Sequence, residues 1–173
     1  ESWQWLTGSQ PVRSQAHTSN VRGWVKLMMI RTMSIDDYDA VYTLWMSCKN
    51  MGFNNLDDSR EGINRFLLRN PNTVFVAEEA DALVGVILSG HDGRRGYIYH
   101  MAVAEAYRRQ GIAEELLKHS LKALEAEGIY KVALLVFNRN DIGNAFWEKQ
   151  GFTVRKDITY RNKALAEFIR TDT

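Results

Sequence analysis

The sequence predicts an α/β fold in which helices cover the faces of a mixed sheet. From Met29 onward, segments with the composition of strands alternate with segments of helical periodicity. Gly111–Gly128 has the periodicity of a strong helix, because its leucines share one face. Tyr130–Phe137 is a nearly continuous apolar run, which we expect to be a strand buried near the centre of the sheet. The order and lengths of these segments are typical of an α/β domain.

The first half of the chain predicts two helices and a hairpin. A short strand at Met29–Thr32 leads into a helix that begins at Ser34 and carries an apolar stripe. A second helix ends at Asn70-Pro71, because proline disfavours helical geometry in the residue before it. Thr73–Glu78 and Ala82–Ser89 are then two strands joined by a tight turn.

The second half continues the alternation. Gly96–Val103 is predicted to be a strand, followed by the long helix and the apolar run described above. A short helix at Asp141–Gln150 comes next, and a glycine closes it. Strands at Phe152–Asp157 and at about Leu165–Ile169 complete the predicted sheet.

Composition and charge exclude several classes of function. The length of 173 residues is enough for about one domain with its own core. The net charge of +1 gives no overall basic field, so we expect no nucleic-acid partner. We also expect no membrane partner, because no apolar run approaches the ~20 residues that span a bilayer. The single cysteine, Cys48, and the few scattered histidines predict no disulfide and no structural metal, as fits a reducing cytoplasm.

The N-terminal segment differs from the rest of the chain. Residues 1–27 mix polar residues with tryptophans and lack the continuous apolar run of a secretory signal. Residue 1 is not methionine, whereas Met28 and Met29 directly precede the first predicted strand. We therefore expect residues 1–27 to be a non-native or flexible extension and residues 28–173 to form the domain. The alternative is an N-terminal arm whose tryptophans dock on the domain or on a second subunit.

The stretch that carries most chemical information is a strand, a turn and the start of a helix. The strand ends in the apolar triplet Met101-Ala102-Val103, and the turn reads Arg108-Arg109-Gln110-Gly111-Ile112-Ala113. A helix start offers unpaired N–H groups and the positive end of the helix dipole, so a pyrophosphate can bind there. Gly111 lets a ligand approach the backbone, Ala113 keeps the first turn uncrowded, and the arginines add charge at the rim. The alternative is an ordinary helix start with two solvated arginines, since so short a pattern occurs by chance.

In its context this stretch resembles the GNAT superfamily of N-acetyltransferases, in particular the small bacterial type. Members share the apolar triplet, an Arg/Gln-x-x-Gly-x-Gly/Ala loop and, further on, an Asn, a short helix and a Gly-Phe pair. Here Asn140 and Gly151-Phe152 follow in that order, so the resemblance extends from about Met29 to Phe152. A Rossmann nucleotide site also begins with a strand, a glycine loop and a helix. This chain lacks that site's third glycine and its acidic residue after the next strand.

The resemblance implies a GNAT fold, with a mixed, mostly antiparallel central sheet flanked by about four helices. It also implies direct transfer of an acetyl group from acetyl-CoA, as cosubstrate, to a primary amine, without a metal. A backbone N–H of the triplet would then polarise the thioester carbonyl. The residues implied to contact the cofactor are Met101, Ala102, Val103, Arg108, Arg109, Gln110, Gly111, Ile112, Ala113, Asn140 and Trp147.

The chain departs from the family pattern in its proton-transfer groups. Relatives often place a tyrosine acid in the short last helix, but Trp147 stands there, and an indole N–H is no acid at neutral pH. Tyr97, Tyr99 and His100, on the strand before the turn, are therefore the candidate catalytic residues. The two tyrosines share one face by period two, and His100 points to the other face unless a bulge intervenes. The alternatives are structural, with the tyrosines as good strand formers and His100 as a packing residue.

The acceptor is expected to be a small-molecule or peptide amine. Asn54, Asn55, Asp57 and Asp58 lie in the link between the first two helices, where this superfamily builds its acceptor site. Glu78 and Glu79, at a strand end, are further candidates for binding a cationic substrate. The competing hypothesis is a degenerate GNAT domain that binds acetyl-CoA as a sensor without turnover. For the assembly, both a monomer and a homodimer remain open.

Overall fold

The computed structural model describes residues 17–19 and 26–173, with side chains from residue 28 onward. The strands are β1 (His17–Ser19), β2 (Lys26–Thr32), β3 (Gly52–Asn54), β4 (Phe75–Glu79), β5 (Ala82–His91), β6 (Gly96–Val103), β7 (Val132–Leu134) and β8 (Arg170–Asp172). The helices are α1 (Tyr38–Ser47), α2 (Arg60–Arg69), α3 (Ile112–Ala126) and α4 (Asp141–Lys149), with short 3₁₀ turns at Ile35–Asp37 and Glu105–Tyr107.

The main sheet has six strands in the order β1-β2-β4-β5-β6-β7. All neighbours in it pair antiparallel except β6 and β7, which are parallel. The described part of the chain thus has the mixed, mostly antiparallel sheet with four α-helices that was predicted. Strands β3 and β8 form a separate two-stranded sheet. None of the helices in the described ranges has the length and apolar composition that a membrane crossing requires.

Two apolar cores lie on opposite faces of the main sheet. On the face covered by α1 and α2, Trp45 and Ile63 pack against strand residues such as Val76. On the other face Leu116 of α3 and Trp147 of α4 pack against the same strands from behind. We call these the α1–α2 face and the α3–α4 face.

Most predicted elements are confirmed close to their predicted bounds. The strand β6 coincides with Gly96–Val103, and Ser34 begins the first helical segment with a capping box to Asp37. The β4–β5 hairpin turns at Ala80 and Asp81, whose φ angles of 49° and 64° are those of a type I′ turn.

The prediction of a buried central strand at Tyr130–Phe137 is wrong. Only Val132–Leu134 forms a strand, and β7 is the last strand in the sheet order. Because nothing in the described residues pairs with its outer edge, the run is open to solvent, with Tyr130 91% exposed and Leu135 55% exposed. Apolar composition predicted burial that the position at the sheet edge does not provide.

The last two predicted strands are also wrong. Residues 152–169 form no strand, and the bidentate ion pair of Arg155 with Asp157 (2.7 and 2.6 Å) closes a local turn where an extended segment was expected. The chain instead ends in β8, which pairs with β3. Asn55 fixes this pairing, because its N–H donates to the Ile169 carbonyl (3.0 Å) and its Oδ1 accepts the Ile169 N–H (2.6 Å).

The expectation for residues 1–27 falls largely outside the described residues. Within that range the structure describes residues 17–19 and 26–27, which take part in β1 and β2, paired with each other. The division between an extension and a domain at residue 28 stays a prediction.

Candidate active site

A β-bulge at Tyr99 sets the directions of the candidate catalytic side chains. His100 lies opposite Leu88 in β5, but Ser89 lies opposite Ile98, so Tyr99 is an extra residue on β6. Leu88 belongs to the core of the α1–α2 face, and its partner His100 therefore points to that face as well. Simple alternation along β6 predicts that His100 points away from the face of the two tyrosines. The bulge shifts this alternation by one residue, so His100 points to the same face as the tyrosines.

Tyr97 and Tyr99 lie on the same α1–α2 face. Their ring centroids are 5.2 Å apart, and the ring of Phe66 from α2 meets Tyr99 edge-on at 5.4 Å. Burial raises the pKa of both phenols; Tyr160 adds to the effect at Tyr97, and Asp92 adds to it at Tyr99. Both phenols therefore stay protonated at neutral pH, and Tyr99, 53% exposed, can donate a proton to a molecule on this face.

His100 is held by a carboxylate and two aromatic rings. Its Nε2 lies 2.7 Å from Oδ1 of Asp58, and the side chains of His100 and Asp58 are only 12% and 8% exposed. The rings of Trp45 and Phe53 each lie 5.0 Å from the imidazole. The α1–α2 face thus brings together all three candidate proton-transfer residues and adds Asp58.

The strands β6 and β7 separate just beside this group. Their parallel pairing covers three positions and ends at Ile98–Leu134. Beyond the bulge, the Ala104 N–H donates to the Val84 carbonyl of β5 at 2.9 Å. Because ladder bonds alternate in direction along an antiparallel strand, the peptide groups of Met101 and Val103 point away from β5, into the cleft between β6 and β7.

The start of α3 presents a run of unpaired backbone donors. Gly111 is the N-cap with a φ of 82°, Arg109 has a φ of 60°, and the first helical bond runs from the Glu115 N–H to the Gly111 carbonyl. In the described chain, no N–H from Arg109 to Glu114 has a hydrogen-bond partner. A Cβ at Gly111 would meet nothing within 4 Å, so the approach to these donors is open. This geometry suits a phosphate group.

The comparison with known proteins decides the family. The sequence profile of the Acetyltransferase (GNAT) family matches residues 38–152. The chain belongs to the GNAT family of acetyltransferases. It is 35% identical to the acetyltransferase SG1711 of Sodalis glossinidius over 140 residues, which cover 81% of this chain and 97% of that protein.

Solved structures agree on the GNAT fold. Ard1 from Thermoplasma volcanium superposes with a TM-score of 0.66 at 24% identity, covering 74% of this chain and 84% of that one. The PaiA N-acetyltransferase of Thermoplasma acidophilum, in complex with coenzyme A, gives 0.65 at 17% identity, covering 84% and 99%. At such identities these two likenesses show the fold alone.

In this GNAT chain, the Arg108 side chain makes contacts within the protein. Its Nε donates to the Val103 carbonyl at 3.0 Å, and its Nη2 lies 3.7 Å from the Cys48 sulfur. The side chain therefore fastens the turn to the end of β6, and its charge lies beside the start of α3. Gln110 also makes a local contact, from Nε2 to the Ala106 carbonyl at 3.3 Å.

Asn140 and Trp147 have structural contacts of their own. The Oδ1 of Asn140 accepts the Gly143 N–H at 2.9 Å and caps α4, which leaves its amide nitrogen as the group that could reach a ligand. Trp147 is buried between Phe146 and Phe152, with ring centroids 5.0 and 5.2 Å away. Contact of either residue with the cofactor stays a prediction.

Two of the candidate acceptor-site residues are bound within the protein. Glu78 is bound by Arg31, which also holds Asp37 at the start of α1, so Glu78 serves that ion-pair cluster and not the cleft. In the α1–α2 link, Asn54 is occupied by the N–H groups of Leu56 and Asp57. Among the described residues no cluster of three His, Cys, Asp or Glu side chains could hold a metal ion.

Sequence reasoning placed Asp58 in the acceptor link but missed its pairing with His100. The two residues are 42 positions apart in the sequence. Trp45 and Phe53 pack on the imidazole, but in the sequence they are apolar residues with no sign of this contact. The one available signal was an aspartate directly before the N-cap of a helix, Ser59 of α2.

Proposed function

We propose that this chain is an acetyl-CoA-dependent N-acetyltransferase in which a primary amine attacks the thioester directly. One observation carries the proposal: the cleft between β6 and β7 joins the open donors of α3 to the proton-bearing side chains of the α1–α2 face. Acetyl-CoA supplies, when bound, an acetyl group activated as a thioester. Its pyrophosphate fits the N–H groups of Arg109 to Glu114, and its extended arm fits the open edge of β6.

The proposal gives the backbone of Met101 a part in the reaction. Its N–H points into the cleft directly after His100, and a hydrogen bond from it would stabilise negative charge that develops on the thioester oxygen. The peptide groups of Ala102 bond to β5, so they do not pair with the cofactor arm in this proposal, and contact of Ala102 with the cofactor stays a prediction. The Val103 carbonyl already accepts a hydrogen bond from Arg108, so only the N–H of Val103 remains for the cofactor arm.

The proton-bearing side chains match the two proton transfers that amide formation needs. An amine must lose a proton before it attacks, because a lysine-like amine has a pKa near ~10.4. The leaving thiolate is helped by a proton, and Tyr97 and Tyr99 are donors on the α1–α2 face. These assignments rest on the position of the phenols on that face, beside the cleft.

The acceptor is proposed to be a cationic small molecule or peptide amine. Tyr99 lies close enough to Asp92 and Asp57 for both carboxylates to raise its pKa, which shows negative charge around the phenol. Negative charge and exposed aromatic faces together favour an ammonium group. Cytoplasmic location is part of the same proposal, since acetyl-CoA is the cosubstrate.

The decisive experiment is turnover of an amine panel by the purified chain. Polyamines, amino acids, aminoglycosides and short peptides are incubated with acetyl-CoA, with thiol release and product mass recorded together. We expect thiol release that depends on the amine, and a product 42 Da heavier that resists hydroxylamine as an amide does. Release of thiol with a hydroxylamine-sensitive product would mean transfer to oxygen. Tight binding of acetyl-CoA without turnover of any amine would favour the sensor hypothesis.

A further inference from the structure

The pair of Asp58 and His100 is built as a unit within the α1–α2 face. Asp58 lies at the end of the link before α2, and His100 follows the bulge of β6. Their contact, from Nε2 to Oδ1 at 2.7 Å, is largely removed from solvent. Burying a carboxylate this far costs free energy unless hydrogen bonds compensate for the lost water. We therefore expect hydrogen-bond donors to both oxygens of Asp58.

Both side chains are held in one orientation. Oδ2 of Asp58 accepts the Asn54 N–H at 2.7 Å, and the hydroxyl of Tyr38 donates to the Asp58 carbonyl at 2.8 Å. The imidazole lies between Trp45 and Phe53, each centred 5.0 Å away. The Tyr38 bond holds the backbone at Asp58, rotation of the carboxylate would break its bond to Asn54, and rotation of the imidazole would break its packing between the two rings.

The hydrogen bond fixes which nitrogen of the neutral imidazole carries the proton. A carboxylate oxygen only accepts, so Nε2 is the donor and Nδ1 keeps its lone pair. In the described part of the structure Nδ1 has no hydrogen-bond partner. We propose that Asp58 is a positioning residue that holds His100 as the Nε2–H tautomer, so that Nδ1 accepts the proton of the amine substrate. This inference rests on the N-acetyltransferase function proposed above.

The reaction needs two protons to leave the ammonium nitrogen and one to reach the thiolate. The ammonium substrate gives one proton to Nδ1 of His100, and Asp58 stabilises the imidazolium that forms. The nitrogen lone pair then forms the C–N bond, and the C–S bond breaks with its electron pair on sulfur. The second nitrogen proton passes to the thiolate through solvent or a phenol, and His100 returns its proton to solvent.

A double-mutant cycle tests the coupling. His100→Gln keeps a donor for Asp58 but cannot accept a proton, and Asp58→Asn keeps the shape while losing the charge. We expect kcat to fall about 10²–10⁴-fold in His100→Gln and about 10–100-fold in Asp58→Asn, with the KM for acetyl-CoA unchanged within about 2-fold. The double variant should be no slower than His100→Gln, because Asp58 acts through His100. Asp81→Asn, in the exposed β4–β5 turn, is the matched control and should behave as wild type.

Nitrogen NMR of the histidine side chains gives a readout that a packing role would not produce. At alkaline pH, the nitrogen signals of wild-type His100, assigned by their absence in His100→Gln, should show a protonated Nε2 and an unprotonated Nδ1. Asp58→Asn should populate the other tautomer. A protonated Nδ1 in the wild type, or multiplicative losses in the double variant, would overturn the proposal. If wild-type protein acetylates no amine, the proposed function fails and the proton role fails with it, while the NMR spectrum still decides whether Asp58 sets the tautomer.

Discussion

The two sides of the β6–β7 cleft are built from different parts of the polypeptide. At the start of α3 the functional groups are backbone N–H donors, arranged by the left-handed conformations of Arg109 and Gly111. On the α1–α2 face they are side chains, brought together from a bulged strand and a distant link. A site made of backbone tolerates changes of side chain as long as the turn keeps its shape. A site made of side chains depends on the identity of each residue.

Removing a phenol on the side-chain side should have an effect as large as that of His100→Gln. If Tyr97 or Tyr99 protonates the leaving thiolate, the corresponding Tyr→Phe variant should lose about 10²–10⁴-fold in kcat and keep its acetyl-CoA affinity. Shape is preserved, so a packing role predicts little change. Tyr130→Phe, at a residue that is 91% exposed, is the control.

The alkaline limb of the rate profile provides a second measurement on the same phenols. Burial raises the pKa of Tyr97 and Tyr99 above the ordinary value of 10.0. Activity that requires the protonated phenol should therefore stay level through pH 9 and fall only above about pH 10. Initial rates corrected for spontaneous thioester hydrolysis would show this, and the limb should vanish in the Phe variant. A limb near neutral pH would exclude the phenols.

The role of the backbone donors at the start of α3 is tested with two glycines at opposite ends of this helix. Gly111 and Gly128 have φ angles of 82° and 76°, and a Cβ at either meets nothing within 4 Å. Glutamate at both positions therefore carries the same backbone strain, of order 1–2 kcal/mol. Only Gly111→Glu places negative charge at the donors, and we expect it to lose acetyl-CoA affinity by about 100-fold in calorimetric titration. Equal affinity in both variants would remove the start of α3 from the site.

How far the sequence could predict these two sides follows from the same contrast. The turn Arg108–Ala113 is local, so its residue pattern predicts its backbone directly. The direction of His100 depends on the pairing of β6 with Leu88 and Ser89, and the residues of β6 alone do not show that Tyr99 is the extra one. Its partner Asp58 is specified only by the fold.

The errors in the sheet have a related cause. Tyr130–Phe137 was predicted to be central because apolar composition reports a preference for burial, whereas the order of strands is set by pairing. The segment after Phe152 has the composition of a strand but forms no ladder with the described strands, and the exposed Arg155–Asp157 pair within it is a local contact.

A smaller effect on acetyl-CoA affinity is expected from changes at Arg108. This side chain lies in the turn before α3 and binds the end of β6. Arg108→Ala should weaken acetyl-CoA binding by about 10-fold or more, the usual range for a charge-assisted hydrogen bond of 1.5–3 kcal/mol. Arg108→Lys keeps the charge but loses the Nε bond to Val103, so affinity should fall only about 2–3-fold. If Lys is as weak as Ala in titration, the anchoring of the turn matters more than the charge.

The smallest effect on catalysis is expected at Asp37, which supports the α1–α2 face without reaching the cleft. Arg31 binds both of its carboxylate oxygens at 2.7 Å, and this hydrogen bonding holds the pKa of Asp37 below its ordinary value of 3.8. A carboxyl whose pKa is lower in the folded state stabilises the fold above pH 3.8, and that stability is lost as pH falls through the folded pKa. Asp37→Asn should therefore cost about 1–3 kcal/mol of unfolding free energy at pH 7. The difference from wild type should shrink towards pH 2, as measured by urea unfolding.

The matched control for this last variant is Asp39→Asn, which breaks the exposed pair with Arg60. That pair is solvent-exposed, with the Asp39 side chain 82% accessible, so its loss should change stability by less than about 1 kcal/mol. Neither variant should alter kcat per folded molecule, because no described contact joins these carboxylates to Tyr97, Tyr99 or His100. A fall in kcat with Asp37→Asn but not with Asp39→Asn would show that the position of α1 affects the catalytic side chains of the α1–α2 face. The side-chain half of the site would then depend on ion pairs beyond its own residues, unlike the backbone donors of α3.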